Sequence, residues 1–400
     1  MPRDTQIAPN CYDAEPIPVA AKAEIDRLLA TGDLFRYTSE NAPVSLLEAE
    51  FAALMGQRFA VAVSSCSQAL FLSLKALNLP RGANVLVPAF TFAAVPSAIL
   101  HADCTPVLVE VKDDYRIDIE DLHHKIDDQT GAILISHMRG HTSDMDAILA
   151  VAHERNIPVV EDAAHSLGTL WNGKKIGTLG TIGCFSFQSY KMLNAGEGGI
   201  LITNDADLAA RTIIMSGAYE HNWRKHPGLE GSVLEWQNKL PLYNCRMQNL
   251  SAAVIRPQLS QLDRRVENGR RNHDYVANQL NSSDYITVPA PLPAELRAPD
   301  SLQFNLKGEW TDSQVQKLQA ECKANGVNIC VFGLSQDNAR AFWNWQFLPK
   351  QPDLPRTRAM LMRACDTRLP ARLTQPDLDF ISQAILEAVQ TIKGEQLHLA

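Results

Sequence analysis

Among the eight cysteines of this 400-residue chain there is no C-x-x-C pair. That excludes a zinc ribbon, a thioredoxin-like motif and a dense disulfide framework. Lys/Arg-rich runs are also missing, and 37 basic against 45 acidic residues leave a net charge of −8. Nucleic acid and anionic membrane are therefore not expected as partners. No apolar stretch approaches the ~20 residues of a membrane helix. The pattern G-x-x-x-x-G-K-[ST] does not occur, and Gly177, Gly180 and Gly183 have the wrong spacing for G-x-G-x-x-G; they read as turns before a strand. Neither an internal repeat nor a low-complexity segment is found. Met1–Asp13 is polar with charges of both signs, unlike a signal peptide. The expectation is a soluble protein of a reducing compartment, most simply cytoplasmic.

What is present is globular in character, with 46% hydrophobic and 20% charged residues. At roughly 150 residues per domain the length allows two or three folded units. From Ala60 to Asn204, apolar runs alternate with amphipathic stretches. Asn84–Val87, Pro106–Val111, Ala132–His137, Ile157–Glu161, Cys184–Phe187 and Gly199–Thr203 read as strands. Most are continuous apolar runs, as parallel strands covered on both faces require. Helices are predicted at Gln68–Leu77, Ala93–His101, Asp144–Arg155 and Asp207–Met215, the third opened by a capping Ser143-Asp144 and an acidic first turn. The alternation predicts an α/β domain with a mainly parallel sheet. After Leu262 the texture changes: a charged helix to Leu280, a proline-rich stretch at Pro289–Pro299, mixed signals, and a final helix at Gln375–Ile392. The expected organisation is an N-terminal segment, 1–45, with a helix at Val19–Ala30, packing on both domains. A large α/β domain over 46–255 and a smaller domain over 256–400 follow.

Two local patterns have bland readings. His137 and His141 stand four apart in HMRGH, but Gly140 lies between them and no acidic base is near, so a loop is the better reading than a metal pair. The tract Phe342-Trp343-Asn344-Trp345-Gln346-Phe347 fits a pocket lining, and equally small-domain core or an interface.

A third constellation carries chemistry. Ile157–His165 ends an apolar strand with Asp162 at its carboxyl edge, where ligands bind in open α/β sheets. Further on, Lys191 follows the strand Cys184–Phe187 directly, ahead of the glycine-rich Ala195-Gly196-Glu197-Gly198-Gly199. Upstream, Val61-Ala62-Val63 runs into Ser64-Ser65-Cys66-Ser67-Gln68, where small hydroxyl residues open a helix whose free N–H groups would hold a phosphate. A lysine for an imine, an acid for a pyridine nitrogen and a phosphate cradle are what pyridoxal 5′-phosphate (PLP) needs.

Through EDAAHSLG, CFSFQSYKMLNAGEGG and YNCRMQNLSAAV the sequence resembles the DegT/StrS sugar aminotransferase family of fold-type I PLP-dependent enzymes, most closely from Leu47 to Leu259. The resemblance implies a mainly parallel seven-stranded sheet flanked by helices, plus a smaller α+β C-terminal domain. It implies that Lys191 forms the imine and moves the proton, and that Asp162 faces the pyridine nitrogen. His165 would contact the phenolic oxygen and Phe92 would stack on the ring. Ser67, Gln68 and Ser186 would bind the phosphate, with Asn244 reaching it from a neighbouring subunit of a homodimer. The implied reaction moves an amino group from glutamate or glutamine, through pyridoxamine 5′-phosphate, to a keto group of a small metabolite such as a keto-sugar or cyclitol. No metal is expected.

The sequence departs from the family in two places: Cys66 replaces the usual glycine before the phosphate-binding hydroxyl, and no Pro-Leu-His motif is visible in the small domain. The second departure leaves open whether the acceptor is nucleotide-linked. Lys191 disfavours the family's dehydratase branch, which carries histidine there. The competing readings are another PLP reaction on the same fold, such as a lyase, decarboxylase or desulfurase, and a non-catalytic PLP-binding sensor.

Overall fold

The computed structural model describes residues 8–218, 226 and 228–397. Residues 1–7, most of the polar stretch Met1–Asp13, lie outside the described residues. The main sheet is built from β1 (Phe59–Val63), β2 (Asn84–Pro88), β3 (Thr105–Val109), β4 (Thr130–Ser136) and β5 (Val159–Asp162), with β8 (Ile182–Ser186) and β9 (Gly199–Thr203). Its order is β1-β9-β8-β5-β4-β2-β3. Neighbours from β8 to β3 pair in parallel. Only β9 runs against its two neighbours. Strands β1, β5, β8 and β9 are buried along their whole length, because helices cover both faces.

Helices start where a short polar side chain can accept an orphan N–H. Ser65 caps Cys66–Ala76 through Gln68 N, Asp144 caps Met145–Glu154 through Ala147 N, and Asp205 caps Ala206–Met215. The first of these begins two residues before the predicted Gln68, since Ser65 is the cap.

The glycines between β5 and β8 serve packing. A Cβ at Gly177 would meet the Phe185 ring at 2.3 Å, and one at Gly183 would sit 1.9 Å from Gly177 O. Their turn wraps the buried Glu161, whose carboxylate accepts from the N–H groups of Gly177, Leu179 and Gly180. Between β5 and β8 lie β6 (Leu170–Trp171) and β7 (Lys174–Lys175), a hairpin extended by β11 (Glu295–Leu296) from the proline-rich stretch.

A second sheet, ordered β10-β12-β14-β13, is antiparallel: β10 (Ile286–Thr287), β12 (Ser301–Leu306), β13 (Cys330–Val331) and β14 (Ala364–Arg368). The helices Leu262–Leu280, Asp312–Ala324 and Gln375–Leu397 pack on it. Val276, Phe304, Leu318 and Ile385 belong to its core, distinct from the main-sheet core. The aromatic tract is core of the main sheet rather than of the small domain: Phe342 and Trp345 are buried in the main-sheet cluster, while Phe347 is exposed.

The segment 8–16 is tied to distant parts of the chain. Arg372 donates to Asn10 O, Asn194 to Glu15 O and Arg265 to Pro16 O. Among the described residues no helix is long and apolar enough to cross a membrane.

Candidate functional site

The carboxyl edges of β4, β5 and β8 open into a cavity of about 510 Å³. Asp162, the last residue of β5, is buried there. Its Oδ2 accepts from Ser136 Oγ at 2.7 Å and its Oδ1 from Ala164 N at 3.1 Å. Two fixed donors hold this carboxylate in one orientation.

Lys191 reaches the cavity from the turn after β8, where its N–H bonds to Gln188 O. Its Nζ lies 2.7 Å from His165 Nε2. Burial lowers the Lys191 pKa to about 8, with Arg139 adding to the effect and Asp300 and Asp162 opposing it. The amine is thus far closer to its neutral, nucleophilic form at physiological pH than an exposed lysine. Burial pushes His165 well below the usual imidazole range, and the charges of Lys191, Arg139, Arg340 and Arg368 push it the same way. His165 is therefore neutral and offers Lys191 a lone pair.

At the far end lies the start of the Cys66–Ala76 helix. Its first N–H groups have no partner within the helix, and its dipole is positive there. A Cβ at Gly199 would lie 2.3 Å from Ser65 C and 2.5 Å from Cys66 N. Glycine at that position lets β9 run directly under the cradle. Ser65, Ser67 and Ser186 line the same end. Phe92 also lines the cavity, with 46% of its surface exposed and the Arg340 guanidinium 5.7 Å from its ring centroid.

Of the residues singled out in the sequence, Ser67, Phe92, Asp162, His165, Ser186 and Lys191 share this cavity. Gln68 and Asn244 are not among its lining. The Gln68 side chain accepts from Ser64 Oγ. Asn244 is exposed in a left-handed turn with φ 52°. The two histidines of HMRGH part company: His137 faces Glu161 at 3.3 Å and His141 faces Gln303 at 2.8 Å. Among the described residues no group of His, Cys, Asp and Glu is arranged to hold a metal ion.

Several lining residues went unread in the sequence: Tyr12, Arg139, Arg340 and Arg368, together with Ser136 behind Asp162. A polar residue closing the apolar run of β4 was the available sign of Ser136. Cys66 lines the cavity too, but burial and Asp162 hold its thiol well above the usual range, the opposite of what a desulfurase nucleophile needs.

The donor set fits PLP: a lysine of lowered pKa, an oriented buried carboxylate, an exposed aromatic ring and a helix-end cradle kept open by Gly199. Residues 20–386 match the model of the DegT/DnrJ/EryC1/StrS aminotransferase family. The chain belongs to this family. Over 250 residues it is 36% identical to the spore coat polysaccharide biosynthesis protein SpsC of Bacillus subtilis (strain 168), covering 62% of this chain and 64% of that protein. The matched stretch thus spans just under two thirds of that relative. Over 280 residues it is 35% identical to UDP-N-acetyl-3-dehydro-alpha-D-glucosamine 3-aminotransferase of Acidithiobacillus ferrooxidans, covering 67% of this chain and 73% of the other. The fold matches the crystal structure of S. venezuelae DesV in complex with a ketimine intermediate, with a TM-score of 0.78 and 26% identity, covering 92% of this chain and 93% of that one.

Proposed function

We propose that this family member is a PLP-dependent aminotransferase moving an amino group from glutamate or glutamine to the keto group of a small biosynthetic metabolite of keto-sugar type. The observation that carries the reading is the Lys191 amine, lowered to a pKa of about 8 and held 2.7 Å from a neutral His165. PLP supplies an aldehyde that condenses with amines and a pyridine ring that accepts electron density.

The rest is the chain's own work. Lys191 Nζ would carry a proton between the substrate α-carbon and the cofactor C4′ on one face, which a single mobile amine can do. Asp162, oriented by Ser136 and the Ala164 N–H, holds the proton on the pyridine nitrogen. His165 is assigned to the phenolic oxygen and Phe92 to the ring face. The helix start at Cys66, with Ser67, Gln68 and Ser186, is assigned to the phosphate. Asn244, exposed on its turn, is assigned to the phosphate in a second copy, which makes the working unit a homodimer.

The test is spectroscopic. Purified protein supplied with PLP is expected to be yellow and to lose that colour on adding glutamate or glutamine. A colourless protein, or one indifferent to both donors, would overturn the reading.

A further inference from the structure

Three arginines line the cavity on the Lys191 side, and the function proposed above uses none of them. Arg139 occupies the left-handed turn after β4 (φ 57°). Arg340 stands just ahead of the aromatic tract, its guanidinium 5.7 Å from the Phe92 ring centroid. Arg368 ends β14 and lies 4.7 Å from the ring centroid of Tyr190, the neighbour of Lys191 in sequence. All three act on the charge state of His165, which touches the reacting amine.

The chain answers only part of their needs. Arg139 pairs with Asp366. Among the described residues Arg340 and Arg368 make no ion pair; Arg368 donates only to Tyr190 O, at 3.2 Å. The Nε of each of the three is buried without a hydrogen-bond partner. A buried guanidinium with no carboxylate in contact is strongly unfavourable; Asp366, paired with Arg139, reaches Arg340 only through its field, and the planar fork of Arg340 and of Arg368 matches a carboxylate. The cofactor phosphate does not answer this need, because its cradle is the helix start at Ser65–Gln68.

Donor and acceptor take turns at one amine, so both must satisfy the same guanidiniums. Glutamate does so with its carboxylates. An acceptor lacking an anion near its ketone would leave these charges unmatched in half of every cycle. A nucleotide-linked sugar places its diphosphate across the ring, away from the reacting carbon.

We propose that the amino acceptor carries its own carboxylate near the ketone, as a keto-sugar acid does, and that Arg340 and Arg368 bind it, backed by the Arg139–Asp366 pair. This rests on the aminotransferase reading above.

The test uses the cofactor-loaded enzyme, converted to its amine form with glutamate and then mixed with a 4-keto hexuronate, its methyl ester or a UDP-linked 4-keto hexose. Return of the yellow form gives kcat/KM for each. The acid is expected to exceed its ester by about 100-fold, since a site built for a polar group rejects analogues lacking it. Arg340→Gln and Arg368→Gln are each expected to reduce the acid-to-ester ratio by roughly tenfold or more, and Arg340→Lys to restore part of it. If Arg368→Gln does not fold, the wild-type ratio and the Arg340 variants decide. Equal rates for acid and ester, or a faster UDP-linked ketose, with the glutamate step intact, would overturn the inference alone. Failure of the glutamate and glutamine steps would remove the aminotransferase reading and this inference with it.

Discussion

The Lys191 amine sits 2.7 Å from Nε2 of a histidine that cannot readily take a proton. Burial lowers both groups, so the proton the pair shares at neutral pH resides on the lysine and is loosely held. The apoprotein should therefore bind PLP covalently with a rate that rises with pH through about 8 and then levels off. Stopped-flow absorbance reads this directly. A midpoint near the ordinary lysine value would show that the amine is not buried as described.

Lys191→Ala should lower the half-reaction with glutamate by 10²- to 10⁴-fold, the usual contribution of a positioned acid–base group. Borohydride treatment of the loaded wild-type protein should leave the label on the peptide that holds Lys191, as read by mass spectrometry. Label on another lysine would reassign the site.

Asp162 is oriented by a hydroxyl from the adjacent strand. Ser136→Ala should cost about 1 kcal/mol through the lost buried hydrogen bond and slow the glutamate step several-fold. Asp162→Asn should slow it by ~10² or more. Equal effects of the two substitutions would contradict the hierarchy in which Ser136 acts only through Asp162.

Gly199→Ala would place a methyl 2.3 Å from the Ser65 backbone. Both segments are fixed, so overpacking should destabilise the fold by about 1–3 kcal/mol and weaken PLP retention in equilibrium dialysis. Gly196, whose Cβ would meet nothing within 4 Å, serves as the control. Its φ of +76° costs Gly196→Ala some backbone strain, but PLP retention should be unchanged.

Glu48 lies fully buried beneath β1, where it accepts from Tyr37 OH and Ala62 N, both at 2.7 Å. Burial raises its pKa to about 7, against the pull of Arg36. A raised folded pKa means that stability is fully present below the unfolded value and is lost as pH climbs through the folded one. On the order of 2–3 kcal/mol should disappear between pH 5 and 8. Glu48→Gln should flatten that part of the profile in denaturant titrations, and an unchanged slope would refute the assignment.

Much of the main sheet was readable because each strand is a short apolar run with polar punctuation. Gly199–Thr203 was located to the residue, and the bounds of the others moved by at most two positions, where a cap or a turn decided the end. Asp162 was readable because it closes such a run, so the strand carries its side chain to the sheet edge, and Lys191 because it stands in the turn shortly after β8, ahead of the glycine-rich stretch. The arginines were not. Arg139 looked like part of a loop between two histidines, and Arg340 and Arg368 lie in segments with no local mark of a site.

The order of residues alone determined the alternating strands and helices, the Ser65 and Asp144 caps, and the lysine and aspartate at strand ends. Those features depend on near neighbours, through side-chain periodicity and the first unpaired N–H groups of a helix. Packing decided that Ser136 would orient Asp162, that His165 would meet Lys191, and that three distant guanidiniums would face one cavity. The first two meetings arise when β4, β5 and β8 pair side by side in the main sheet, the third when Arg368 of the second sheet comes to the same cavity, and no local pattern in the chain encodes either approach.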